Sequence, residues 1–191
     1  MKALIDYSII ENIPVGAAID IIAKSDKITY GKATLSDLLI SGDITSLPLC
    51  GYNSVDNFGR GIYVFFDVAN AVYVGKADNF LNRLSGHADT VSRPGWGWNA
   101  LLQIICRKRL FLTNDPLTND DLNKALQQLN TYSFVRVNIG NNMSLNPQKI
   151  ERIFLRGFKK RYPDTLMNGG VGGIDPDYMN RSVRIILNER P

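Results

Sequence analysis

The sequence predicts an α+β fold: a small antiparallel β-sheet flanked by helices, preceded by an N-terminal, mostly helical extension. Three observations lead there. Residues 61–75, GIYVFFDVANAVYVG, hold two runs of β-branched and aromatic residues about a turn at Asp67–Asn70, the pattern of a hairpin. Residues 147–161 repeat their apolar positions with helical spacing after Asn146-Pro147, a cap followed by proline in the first turn. Strand-like and helix-like segments come in mixed order along the chain.

Within the extension, assigned to residues 1–57, GAAIDIIAK (16–24) has helical spacing. Thr34 caps LSDLLIS, with Asp37 at the third helical position as a capping box and Gly42 as the stop. Turn residues multiply from SLPLCGYNSVDNFGR onward, which marks the junction with a core over 58–168. After the hairpin, Asp78 is the expected cap for NFLNRLSGHA. Residues 91–99 form a loop in which Trp96 and Trp98 stand near Arg93, a set able to stack on bases or simply to pack. Residues 100–112 are apolar and fit a helix or a strand; a helix opens at Thr118 or Asn119 and runs through Leu129. YSFVRVNI (132–139) reads as a strand, and the helix from Pro147 ends near Arg161, before Pro163. The tail, 169–191, is a glycine-rich loop followed by a short apolar element.

A chain of 191 residues suits one domain, or a compact domain with an extension. No apolar run approaches the ~20 residues of a spanning helix. Asp6 and Glu11 interrupt the stretch that a signal peptide would need. A cytoplasmic protein is expected, with no membrane partner. Cys50 and Cys106 lack metal-ligand spacing, so neither a disulfide framework nor a zinc site is supported. A net charge of +4 permits a polyanionic partner; its cations cluster at Arg107–Arg109 and Lys159–Arg161, with Arg152 and Arg156 just upstream of the second group, a pattern that also suits a solvated face.

Familiar motifs fail. Gly169, Gly170, Gly172 and Gly173 do not complete a dinucleotide loop, because Asp175 takes the last glycine's place. Gly75-Lys76 is followed by Ala77 rather than Ser or Thr, and no Gly-x-Ser-x-Gly elbow accompanies His87, the single histidine.

Three features carry chemistry instead. Arg83 and His87 are four apart and share a helix face, where a guanidinium beside an imidazole can grip and act on a phosphate. Glu151 falls inside the apolar arc of its helix, between Phe158 and Leu155 at about 100° per residue. A carboxylate aimed at a core needs a cation or a metal, so Glu151 is either half of a buried ion pair or a metal ligand. Tyr63 and Tyr73 share one face if the turn between them is odd in length, such as Asp67-Val68-Ala69, and then pair directly.

Together these residues resemble the GIY-YIG nuclease superfamily. Gly61-Ile62-Tyr63 matches its first half-motif, and Tyr73-Val74-Gly75 the second, followed by Lys76. Arg83 and His87 fall at its helix positions, Glu151 at its late acidic position and Asn168 at its final asparagine, so the likeness covers residues 61–168. The spacer between half-motifs, nine residues, is a little short, and the stretch from Arg109 to Glu151 is long. The resemblance implies a Mg²⁺- or Mn²⁺-dependent endonuclease acting on double-stranded DNA, of restriction type, with repair and toxin nucleases or an inactive nucleic-acid-binding module as alternatives. It implies Tyr63 or His87 as general base, Lys76 as a cation favouring the tyrosinate, and Arg83 on the phosphate. It further implies Glu151 on the metal, Tyr73 orienting water or ion, and Asn168 holding the backbone of the site. The segment before residue 58 would then recognise DNA or form a homodimer.

Overall fold

The computed structural model describes residues 3–40, 58–90, 99–140, 144–169 and 175–189. Gly42, Cys50, Arg93, Trp96, Trp98, Gly170, Gly172, Gly173 and the junction before residue 58 lie outside the described residues.

The centre is a five-stranded sheet with the order β1-β5-β3-β4, in which β2 also pairs with β5. Strand β1 is Leu4–Asp6, β2 Ile28–Thr29, β3 Gly61–Asp67, β4 Asn70–Ala77 and β5 Ser133–Asn138. Strands β3, β4 and β5 form the antiparallel core. The expectation of a wholly antiparallel sheet is corrected by β1, which runs parallel to β5 with Leu4 opposite Arg136. Helix α1, Val15–Lys24, turns the chain back between the two short strands. Hence β1 runs with the C-terminal half of β5, and β2 runs against its N-terminal half. The segment read as a helical extension therefore also supplies two strands to the sheet.

The hairpin differs in detail from the expected odd turn. Asp67 pairs with Asn70, leaving Val68 and Ala69 as the turn, with Val68 at φ +56°. The odd residue enters instead as a bulge between Phe65 and Phe66, where the register slips and Val72 has no partner. Tyr73 consequently sits opposite Phe65, and Tyr63 opposite Gly75. The two tyrosines are diagonal neighbours on one face rather than a direct pair.

Two apolar layers cover the sheet. On one face Ile62, Val64, Phe66 and Val74 pack against α1 and against α6, Pro147–Arg161. Gly157 lets α6 approach, since a Cβ there would lie 2.5 Å from Ile19. On the other face Tyr63, Phe65 and Tyr73 meet α3 (Phe80–Ser85), α4 (Ala100–Lys108) and α5 (Asn119–Thr131). Caps set the helix ends. Thr34 and Asp37 form the reciprocal box that opens the short α2, Leu35–Leu38, and Thr118 and Asp121 do the same for α5. Asn79, not Asp78, caps α3 by accepting the Asn82 N–H; its neighbour Asp78 is exposed. The ambiguous 100–112 stretch is helical to Lys108. The tail closes with α7, Val183–Asn188. Among the described residues no helix is long and apolar enough to cross a membrane.

Candidate active site

Strand β4 is the edge of the sheet, so Val72, Val74 and Lys76 turn backbone groups outward. Each is met. The Met167 N–H donates to the Val72 carbonyl. Asn168 accepts the Val74 N–H at 3.1 Å through Oδ1 and donates to the Val74 carbonyl through Nδ2. The Glu151 carboxylate accepts from the Lys76 N–H. Asn168 thus acts as a one-residue strand, and Glu151 reaches round from α6 to the rim of the opposite face.

On that face the aromatic residues gather. The Tyr63 and Tyr73 rings stack with centroids 6.2 Å apart and planes inclined at 28°. The Tyr63 hydroxyl lies 2.8 Å from His87 Nε2, and Arg83 Nε donates to the Tyr63 oxygen at 3.2 Å. Helix α3 ends at Ser85, and His87 follows on a single 3-10 turn, Gly86–Ala88, rather than on the helix itself. That turn still directs the imidazole onto Tyr63. Five of the expected residues, Tyr63, Tyr73, Arg83, His87 and Glu151, converge through direct contact or mutual field. Lys76 lies beside Glu151, and Asn168 stands one step back, on the strand that carries Tyr73.

Gly75 is explained by this packing. A Cβ on it would lie 2.4 Å from the Tyr63 hydroxyl and 2.8 Å from the Tyr73 ring, so any side chain would expel Tyr63 from its place.

Burial sets the protonation states. Tyr63 has no solvent exposure, and burial raises its pKa well above the ordinary tyrosine value, with the Tyr73 oxygen adding to the rise and Arg83 opposing it. Burial therefore favours the phenol form of Tyr63, with Arg83 as the cation that opposes it. His87 is pushed down to about 3 by burial and by the Arg83 charge, so it is neutral at physiological pH. Burial raises Glu151 above the usual carboxylate range, while Lys76 and Arg83 pull it back. Glu151 joins no salt bridge among the described residues, though the charges of Lys76, Arg83 and Arg152 act on it. The arrangement fits one divalent ion. A half-buried carboxylate with its charge only partly compensated suits Mg²⁺, which takes few protein ligands and fills its remaining positions with water or phosphate oxygens.

One residue of the site escapes a reading by spacing. Asn99, with φ +57°, caps α4 and donates through Nδ2 to the carbonyls of His87 and Asp89 at 2.8 and 2.7 Å. Asn99 also raises the His87 pKa a little, against the larger lowering by burial and by Arg83. His87 turns Nε2 toward Tyr63, and the tautomer that carries its proton on Nδ1 has that nitrogen open to take a proton. The one signal in the sequence is an asparagine directly before an apolar helix. Comparison with protein-family models, curated proteins and solved structures finds no match.

Proposed function

We propose that this chain is a metal-dependent endonuclease of the GIY-YIG type, hydrolysing phosphodiester bonds in DNA. The observation that carries the reading is the Tyr63–His87–Arg83 hydrogen-bonded group, with Glu151 brought to its rim from a helix on the other side of the sheet. A buried catalytic face with a guanidinium and a half-buried carboxylate at its edge suits an anionic, metal-binding substrate.

The geometry recasts the choice between Tyr63 and His87 as base. Burial favours the protonated form of Tyr63, and its hydroxyl lies 2.8 Å from Nε2 of a neutral His87, placed to donate to it. As water attacks phosphorus, Tyr63 takes a proton from that water and passes its own to Nε2. The new P–O bond forms from the water oxygen while the bond to the leaving oxygen breaks, and that oxygen departs as an alkoxide that takes a proton from solvent. Arg83, an exposed residue whose Nε donates to Tyr63, holds the non-bridging oxygens and stabilises the charge that develops on them. Glu151 is the residue that would hold a divalent ion, which when bound would neutralise further charge at the phosphate. Tyr73, stacked on Tyr63, fixes the ring and narrows access to it.

Incubation with mixed-sequence plasmid, with and without Mg²⁺, tests this. The expected result is Mg²⁺-dependent cleavage abolished in Glu151→Ala and strongly reduced in Tyr63→Phe; discrete bands identify a restriction type, and a smear a repair or toxin type. Salt-sensitive binding without cutting would instead identify a non-catalytic nucleic-acid-binding module, and equal cleavage by Glu151→Ala would overturn the metal assignment.

A further inference from the structure

Helix α6 carries six cations, and they divide into two sets. Lys159 donates to the carbonyls of Pro163 and Leu166, Lys160 to those of Asp175 and Pro176, and Arg161 pairs with Asp20. These three are used in holding the fold. Lys149, Arg152 and Arg156 are exposed and have no hydrogen bond or ion pair among the described residues. They border a cleft of about 410 Å³ between α6 and α7, floored by Ile153, Ile186 and Leu187. The polar groups nearest to them are already occupied. The Tyr178 hydroxyl donates to the Ile153 carbonyl, and Glu189 pairs with Arg181. The cleft therefore presents unpaired positive charge over an apolar floor.

The three cations stand at spacings of three, four and seven, which places them in one stripe. A rise of 1.5 Å per residue makes the stripe about 10 Å long. Successive phosphates of one DNA strand advance about 3.4 Å along the duplex axis, so the stripe spans about three such steps, or four consecutive phosphates. Arg152, the middle of the three, directly follows Glu151 and its charge acts on that carboxylate, so the stripe passes beside the residue at the rim of the candidate site.

We propose that Lys149, Arg152 and Arg156 form a backbone clamp, a second contact region that grips phosphates of the duplex being cut. The proposal rests on the nuclease reading and names where that substrate is held. The clamp is sequence-independent: it contributes affinity and orientation, and the bases are read elsewhere.

The test is fluorescence anisotropy of a labelled mixed-sequence duplex, without divalent ion, across a series of salt concentrations. Lys149→Gln and Arg156→Gln should each weaken binding and reduce the slope of log affinity against log salt by about 0.9, the value for one lost phosphate contact. Lys124→Gln, an exposed cation paired with Asp120 on α5, should leave the slope unchanged. Thermal melting checks that each variant is folded. Unchanged slopes in both folded cleft variants, beside a wild type that binds and cuts DNA, overturn the clamp and leave the nuclease reading intact. A wild type that neither binds nor cuts DNA overturns both.

Discussion

Tyr63 lies across the ladder from Gly75, and its ring occupies the space that a side chain on Gly75 would need. The glycine of the second half-motif is thus a packing partner of the tyrosine of the first. Gly75→Ala should cost about 1–3 kcal/mol by overpacking. It should also separate Tyr63 from His87, so cleavage should fall far more than stability. Urea unfolding and single-turnover cleavage read the two effects, and a variant with wild-type values of both refutes this packing account.

The His87 environment fixes an acid limb of stability. The folded imidazole titrates at about 3, against about 6.5 in an unfolded chain. Between those values the unfolded chain binds a proton that the fold does not, so stability falls as pH drops, by about 1.4 kcal/mol per pH unit. Glu151 acts with the opposite sign, because its raised pKa lets the fold hold a proton that the unfolded chain has released. Urea midpoints measured from pH 7 downward should show a shallower loss in His87→Gln and a steeper one in Glu151→Gln. An acid limb unchanged by His87→Gln contradicts a buried neutral imidazole.

Asn168 closes the edge of β4 through both ends of its carboxamide. Asn168→Ala should destabilise by about 1–3 kcal/mol, the cost of leaving such groups unpaired. Asn168→Asp should cost more, because a carboxylate would face the Val74 carbonyl. Hydrogen exchange at the Val74 amide is the local readout: it should accelerate in Asn168→Ala well before global unfolding.

Arg136 is a buried cation opposite Tyr63 in the ladder. It donates to the carbonyls of Asp37 and Leu38, at the end of α2, and lies over the Phe80 ring at 5.6 Å. Burial lowers its pKa to about 10, so it remains charged at neutral pH. Arg136→Met should cost about 2–4 kcal/mol, because two carbonyls lose charge-assisted donors. Arg136→Lys should recover only part of that loss, since an ammonium lacks the planar fork. Thermal melting of the two variants measures the difference.

Much of this was legible because the signals are local. Asn146-Pro147 and the apolar arc placed α6, and the Thr34 and Thr118 boxes placed two helix starts. Spacing shows Arg83 and His87 four apart and Glu151 standing where an apolar residue belongs; that they gather about Tyr63 follows only from the family resemblance. What escaped depends on distant partners. Leu4–Asp6 and Ile28–Thr29 are too short for any alternation, and only β5 makes them strands. The slip at Phe65/Phe66 depends on how Val72 fits its neighbours. The role of Asn99 exists only because the 86–89 turn folds back onto it.

The closed rim of β4 also bears on how copies of this chain can meet. Asn168, Met167 and Glu151 occupy the outward groups of Val74, Val72 and Lys76, while the opposite flank of β5 is divided between strands of three and two residues. A sheet fenced on both sides resists templated growth. Self-association by strand addition, the usual route to fibrils, would first have to displace the residues that complete the site.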